Sequence, residues 1–301
     1  MDQLMYAAAS LTPDRVLHRL EWHVIRRLDG RLQGDYRTLF RGVGTDFRDL
    51  RDYEPGDDVR HIDWNVTARM DSPFVRQYSE ERELTAWLLL DRSPSMAYGR
   101  VDRPKELVLC ELSATIARLL TRGGNRVGAI LYDNEVESTM QPRSGRNQVL
   151  TLTRDLLRPV RTRGTVTELA GLLDTALGMI RRRSLIVLIS DFITEPGWER
   201  SLLRLTEHNE VIAIRLVDPS EFALPDAGMI VVEDAESGEQ LLIDSSDAEF
   251  RRRLRVAGEE REAALQTATA RAGVTLHDVS TDEDLVSALV RLVESRRRRR
   301  H

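Results

Sequence analysis

Ala86-Trp87-Leu88-Leu89-Leu90, followed at once by Asp91-Arg92-Ser93-Pro94-Ser95-Met96, is the stretch that decides the fold. Five apolar residues in a row are too few for a core helix. They suit a strand whose two faces are both covered, because alternate side chains point to opposite faces and all of them are apolar. The run ends in a carboxylate and a polar turn. The chain repeats this pattern outward from that point. Arg126–Tyr132, Leu185–Ser190, Val211–Val217 and Val274–Val279 are further short apolar runs. Helical periodicity fills the gaps at Pro104–Thr121, Arg146–Leu157, Glu168–Arg181, Trp198–Thr206, Ala248–Ala272 and Asp282–Ser295. Such alternation predicts an α/β fold: a doubly wound, mostly parallel sheet flanked by helices and joined by right-handed crossovers. Two segments depart from the pattern. Glu135–Met140 follows its predecessor too closely for a helical crossover and is expected as an antiparallel edge strand. Met229–Glu233 and Glu239–Ile243, joined around Ser237-Gly238, read as an inserted hairpin.

The region before this domain has another texture. Up to Glu83 it is dense in arginine and aspartate, with glycines at 30, 34, 42, 44 and 56. One helix stands out, Pro13–Leu28, with Thr12 as its N-cap, Pro13 at the first position, and Leu17, Leu20, Val24 and Leu28 at helical spacing. The remainder to residue 83 reads as irregular, with short strands around Thr45–Arg51 and Phe74–Tyr78. The expected organisation is an N-terminal irregular helix-plus-strand extension over 1–83 packed on the main domain, the α/β domain over 84–295, and a disordered basic tail over 296–301. The tail holds Arg296 to Arg300, whose adjacent like charges repel.

Composition narrows the function classes. The 301 residues carry a net charge of -5, with a pI near 5.8, 41% hydrophobic and 31% charged residues. A net acidic chain offers no general attraction to nucleic acid or anionic lipid. Nucleic-acid binding would have only the arginine tail to support it. No run approaches the ~18 apolar residues of a membrane span. The N-terminus lacks the basic start of a signal peptide. The single cysteine, Cys110, lies in an apolar helical stretch and reads as a small buried hydrophobe. Cytoplasmic location is the expectation.

Chemistry concentrates at the end of the first apolar run. Open α/β sheets bind ligands beyond the carboxyl ends of their strands, at the topological switch point. There the spacing D-x-S-x-S presents the carboxylate of Asp91 and the hydroxyls of Ser93 and Ser95 at alternating positions. These hard oxygen donors suit Mg²⁺ or Mn²⁺ and suit Zn²⁺ poorly. Arg163-Gly164-Thr165-Val166-Thr167-Glu168-Leu169 precedes a helix and offers a threonine hydroxyl. Leu185–Ser190 ends at Asp191, a second carboxylate.

Leu88 to Met96, the Thr167 loop and Asp191 resemble the metal-ion-dependent adhesion site of von Willebrand factor A domains, whose fold is of the same Rossmann-like kind. The resemblance implies that Asp91, Ser93 and Ser95 hold the metal, with Thr167 direct or nearly so and Asp191 through water. Thr165 competes with Thr167 for that role, and the spacing to Leu169 favours Thr167. A second resemblance covers Gly42 to Arg82, which includes G-V-G-T-D-F-R-D-L-R-D-Y-E-P-G-D-D-V-R-H-I-D-W-N-V-T-A-R and continues through Val75-Arg76-Gln77-Tyr78. It is similar to the bacterial family catalogued as domain of unknown function 58, which places this block just before an A-type domain. Together the two resemblances span residues 14 to 220. Many members of that family are encoded beside MoxR-type AAA+ ATPases, which implies such an ATPase as partner. It would be engaged in complex assembly or cofactor insertion through an Asp or Glu offered to the metal.

The family-motif residues Gly56, Asp57, Asp58, Arg60, Asp63, Trp64 and Arg69 read as structural. Aspartates alternate with arginines through the block, a pattern suited to a lattice of directional ion pairs where apolar residues are few. Trp64 is expected to anchor the block by burial. A second, catalytic acidic site is the competing reading of the same residues. Histidine or serine catalysis is disfavoured, for there is no H-E-x-x-H and no G-x-S-x-G. The main rival overall is a Mg²⁺-dependent phosphohydrolase of the haloacid-dehalogenase type. That chemistry requires an acid/base carboxylate two residues after the first aspartate, where this chain has Ser93, and a lysine, of which Arg163 to Asp191 contains none. A metal-dependent binding module, not an enzyme, is the favoured function.

Overall fold

The computed structural model describes residues 12–32, 50–54, 62, 64–68, 72–76, 83–100, 103–159, 168–221, 228–233 and 240–300. The chain divides into two compact units: Met1–Phe40 together with Thr85–His301, and Arg41–Leu84.

The larger unit opens with helix α1 (Pro13–Leu20), a π-helical turn at Glu21–Ile25 and helix α2 (Arg26–Leu32). Thr12 caps the start as expected, its Oγ1 accepting from the Arg15 amide at 3.4 Å. Leu17, Leu20, Val24 and Leu28 are buried, joined by Val16 and Ile25. The expected boundary near residue 83 placed this helix with the Arg/Asp-rich block. The larger unit claims it instead, because its apolar stripe needs cover and ion pairs hold it down. Arg118 Nε donates to Glu21 at 2.9 Å, Arg122 pairs with Asp29 at 3.0 Å and Arg27 with Asp284 at 3.1 Å.

The smaller unit pairs strand β1 (Leu50–Asp52) antiparallel with β2 (Phe74–Arg76), and a single helical turn, α3 (Trp64–Thr67), lies between them in sequence. The Tyr53 amide donates to Pro73 O, the Phe74 amide to Thr67 Oγ1 and Ser72 Oγ to Asp52 Oδ1, at 2.8, 3.0 and 3.0 Å. Trp64 corrects its expectation of burial: it is 68% exposed. Val66 and Thr67 of that one turn are half-buried, and Trp64 at its start is not. Gly56, Asp57, Asp58, Arg60, Asp63 and Arg69 lie outside the described residues.

From Thr85 the alternation appears as predicted. In order come β3 (Thr85–Asp91), the two-residue strands β4 (Gly99–Arg100) and β5 (Arg103–Pro104), α4 (Lys105–Arg122), β6 (Arg126–Asp133), β7 (Glu135–Arg143) and α5 (Arg146–Leu156). Then follow α6 (Leu169–Met179), β8 (Leu185–Ser190), α7 (Trp198–His208) and β9 (Glu210–Val217). A hairpin of β10 (Met229–Glu233) and β11 (Gln240–Asp244) precedes α8 (Ala248–Arg271), β12 (Leu276–Ser280) and α9 (Leu285–Arg300). The main sheet has the order β12-β9-β8-β3-β6-β7, parallel except for β7. The chain therefore starts at the centre, winds out to β7, returns to the far side of β3 and winds out again to β12. Between β3 and β8 lies the switch point.

Both faces of the sheet are covered, which explains the unbroken apolar runs. Trp87, Leu89, Ile130, Ile186 and Leu188 pack with Leu172 and Leu173 of α6 and Leu202 and Leu205 of α7. Leu88 and Leu90 alternate to the other face and are fully buried, where α4 contacts β3. Gly128 sits at a register shift between β6 and β7, where an added Cβ would lie 2.9 Å from Met140 O; only glycine allows that approach. Cys110 is buried, and burial, with Glu106 nearby, pushes its thiol up to about 12. The expected disordered tail is instead backbone helix to Arg300, since α9 starts on buried Leu285, Val286, Leu289 and Leu292 and propagates cheaply into arginines. Among the described residues, no helix is long and apolar enough to cross a membrane.

Candidate functional site

Four parallel strands deliver an aspartate to the carboxyl edge of the sheet. Asp91 and Asp133 end β3 and β6, Asp191 follows β8 by one residue and Asp218 follows β9 by one. All four are buried. The expected residues Asp91, Ser93, Ser95 and Asp191 are brought to this edge at the switch point. Thr167 and its competitor Thr165 lie outside the described residues. The described residues resume at Glu168, whose amide donates to Asn134 Oδ1 at 3.2 Å, and α6 begins at Leu169, whose amide donates to Thr194 Oγ1 at 2.9 Å.

Local hydrogen bonds shape the Asp91 loop. The Ser93 amide donates to Asp91 Oδ1 at 2.9 Å, a side-chain-to-backbone turn two residues long. Pro94 then opens a 3-10 turn, Pro94–Ala97, closed by the Met96 amide on Ser93 O at 2.9 Å. These constraints turn the hydroxyls of Ser93 and Ser95 toward each other, Oγ to Oγ 3.0 Å, with both residues buried. The β8 end uses the same device. The Ile193 amide donates to Asp191 Oδ1 at 3.0 Å, and Phe192 is held at φ 57 between them. Phe192 packs edge-on against Trp198, ring centres 5.6 Å apart, which anchors this sparsely populated backbone geometry. Ser190 links the two loops. Its hydroxyl donates to Asp91 Oδ2 at 2.5 Å and accepts from the Phe192 amide at 2.9 Å.

The electrostatics are asymmetric. Burial pushes the Asp91 carboxyl up to about 6, and the charge of Asp191 adds to this; hydrogen bonds from Ser190 and Ser93 oppose it without cancelling it. Asp191, by contrast, has a counter-ion. Lys105, fully buried at the start of α4, places Nζ 2.7 Å from Asp191 Oδ2 and 2.5 Å from Glu221 Oε1. Burial opposes the lysine charge, but the two carboxylates outweigh it and hold its pKa above the ordinary lysine value. The sequence reading missed Lys105, Glu221 and the bridging role of Ser190. Ser190 had a signal, a hydroxyl at a strand end beside an aspartate, and Lys105 had one in being the single lysine of the chain; Glu221 had none. Among the described residues, no three or more His, Cys, Asp and Glu side chains gather as a metal cluster. What the loop offers is oxygen: one carboxylate that has no cationic partner among the described residues, and two adjoining hydroxyls.

Comparison with known proteins adds kinship. An uncharacterized protein of Mycobacterium tuberculosis and one of Mycobacterium bovis are each 37% identical over 283 residues, covering 94% of this chain and 89% of the relative. A Mycobacterium avium protein, also uncharacterized, is 35% identical over 160 residues, 52% of this chain and 92% of its own. Among solved structures, conserved hypothetical protein BatB from Bacteroides thetaiotaomicron superposes with a TM-score of 0.46 at 14% identity, covering 72% of this chain and 100% of that one. That match is too loose to bear on function. Residues 49–264 match the family described as protein of unknown function DUF58. On that match and the mycobacterial identities, the chain belongs to the DUF58 family.

Proposed function

We propose that the Asp91 loop is a divalent-cation site of the kind carried by von Willebrand factor A domains, and that the protein is a metal-dependent interaction module. The observation that carries this is the pairing of a buried Asp91 carboxylate, which has no cationic partner among the described residues, with the Ser93 and Ser95 hydroxyls, 3.0 Å apart, at the switch point. Two buried carboxylates that repel each other are costly, and a cation beside Asp91 would relieve that cost. The donors are all hard oxygens, which fits Mg²⁺ or Mn²⁺. Asp91, Ser93 and Ser95 would hold the ion, with Asp191 behind them and the Thr167 loop as the further donor. When bound, the ion supplies a positive charge that seeks an anionic oxygen.

In this reading the partner offers an Asp or Glu, and family context makes a MoxR-type AAA+ ATPase the first candidate. The protein would then act as an adaptor or co-chaperone in complex assembly or cofactor insertion. Ser93 stands where the acid/base carboxylate of a haloacid-dehalogenase-type hydrolase would be required, which favours binding over catalysis. The test is a pull-down of the candidate ATPase with the full chain in Mg²⁺, in EDTA, and with Mg²⁺ restored, beside Asp91→Ala. Capture that is lost in EDTA, regained with Mg²⁺ and absent in Asp91→Ala is expected. A complex indifferent to all three conditions would refute the proposal.

A further inference from the structure

The chain has 44 basic residues, and 43 of them are arginine. Lys105 is its one lysine. Elsewhere arginine serves even at buried positions, as at Arg92 and Arg215, so a single lysine marks a place that a guanidinium does not fit. The geometry gives the reason. The ammonium sits with 0% exposure between Asp191 Oδ2 and Glu221 Oε1, and the ring centre of Tyr98 is 5.9 Å away. A compact point charge with three rotatable donors suits that space, whereas a planar fork of five donors would leave several unmatched in the interior. Glu221 is itself held at the edge of the sheet. It lies in the 3-10 turn Pro219–Glu221, and its Oε2 accepts from the Asp218 amide at 3.2 Å.

From these contacts we propose that Lys105 is a positioning residue that keeps Asp191 out of direct cation coordination and leaves Asp91 as the carboxylate that faces the ion. The inference rests on the cation reading above and deepens it. A resident ammonium occupying one of two carboxylates weakens the hold on the cation and preserves the cation's positive charge toward solvent. The site is thereby specialised to recruit an exogenous carboxylate, not to sequester metal. Lys105 supplies this bias from behind the site, without touching the partner.

The experiment uses the full-length protein with Mn²⁺ alone as probe. Calorimetry gives affinity, and water-proton relaxation counts the waters bound directly to the ion. Lys105→Met keeps the length of the side chain and removes its charge. It should bind Mn²⁺ about tenfold more tightly, as expected for losing one nearby unit charge, and with one fewer bound water as Asp191 moves in. Glu221→Gln preserves volume at a partly exposed side chain and leaves Lys105 to Asp191 alone. It should weaken binding several-fold with the water count unchanged. Unchanged affinity and hydration in Lys105→Met would overturn the inference while leaving the cation site standing. If that variant does not fold, Glu221→Gln decides: weaker binding supports the proposal, and equal or tighter binding overturns it. No Mn²⁺ binding by the wild type would remove the cation reading itself, and the role of Lys105 with it.

Discussion

Two buried cations flank the Asp91 loop, and their surroundings differ in kind. Arg92, the next residue in the chain, turns away from the edge into a set of partners from several elements. Its guanidinium donates to Glu137 of β7 at 2.7 Å, to the Asp155 carbonyl at 3.3 Å and to the Arg158 carbonyl, and it lies 3.6 Å from Glu106 of α4. Two of these acceptors are carbonyls at the end of α5, where the helix dipole favours a cation. The fork thus ties β7, α4 and α5 beneath the loop. Lys105 instead meets two carboxylates with one nitrogen, and both belong to the loops of the rim. Arginine here joins elements through direction, while lysine sets local charge. Scaffold and tuning are separated by residue type.

That contrast is most easily broken at Arg92. Arg92→Met would leave Glu137 and the α5 carbonyls without their buried donor, and should cost roughly 3–5 kcal/mol in urea unfolding. Arg92→Lys should rescue little, since one ammonium cannot span the same acceptors. A loss under about 1 kcal/mol would show that the fork is not a scaffold.

A smaller effect separates Asp91 from this framework. In the metal-free folded protein burial pushes its carboxyl up to about 6, above the ordinary aspartate value of 3.8. A raised carboxyl binds its proton more tightly when folded, so its contribution to stability is present below pH 4 and lost as pH rises through about 6. Asp91→Asn lacks this titration. Measured in EDTA, wild type should therefore lose stability relative to Asp91→Asn across that window, by roughly 3 kcal/mol at most. A constant gap from pH 4 to 7 would contradict the buried carboxylate. Asp91→Ala should fold yet show no Mg²⁺ heat in calorimetry.

The hydroxyls should matter less than the carboxylate. Ser93→Ala and Ser95→Ala are each expected to weaken Mg²⁺ by about 1 kcal/mol, the scale of one hydrogen-bond-like contact, with melting temperature little changed. The smallest effect lies outside both clusters. Trp64→Ser removes an exposed side chain and should change stability by less than about 0.5 kcal/mol. A larger loss would revive the expectation that Trp64 anchors its block.

Periodicity made most of the sheet legible. Leu185–Ser190 was expected at its observed bounds, and the antiparallel placement of β7 followed from the short gap after Asp133. The burial of Leu17, Leu20, Val24 and Leu28 was readable because a helix puts positions three and four apart on one face. The D-x-S-x-S spacing was readable for a similar reason: it is local, and an aspartate that turns back on the amide two residues later organises itself without help from the rest of the chain. Where single positions in charged or one-turn segments decided the outcome, as at Trp64 and in the helical continuation to Arg300, no period was available to read.

The sequence by itself determined the order of strands and helices, the apolar faces of the sheet, and the three oxygen ligands proposed at the end of β3. Only the tertiary structure decided what stands behind them. Lys105, Asp191 and Glu221 are separated by 86 and 116 residues from lysine to each acid, and no spacing rule connects them. Their meeting depends on the winding order that sets β8 beside β3 and β9 beside β8. Burial then makes the ion pairs consequential, since a charge removed from water must find its partner wherever the fold has placed one.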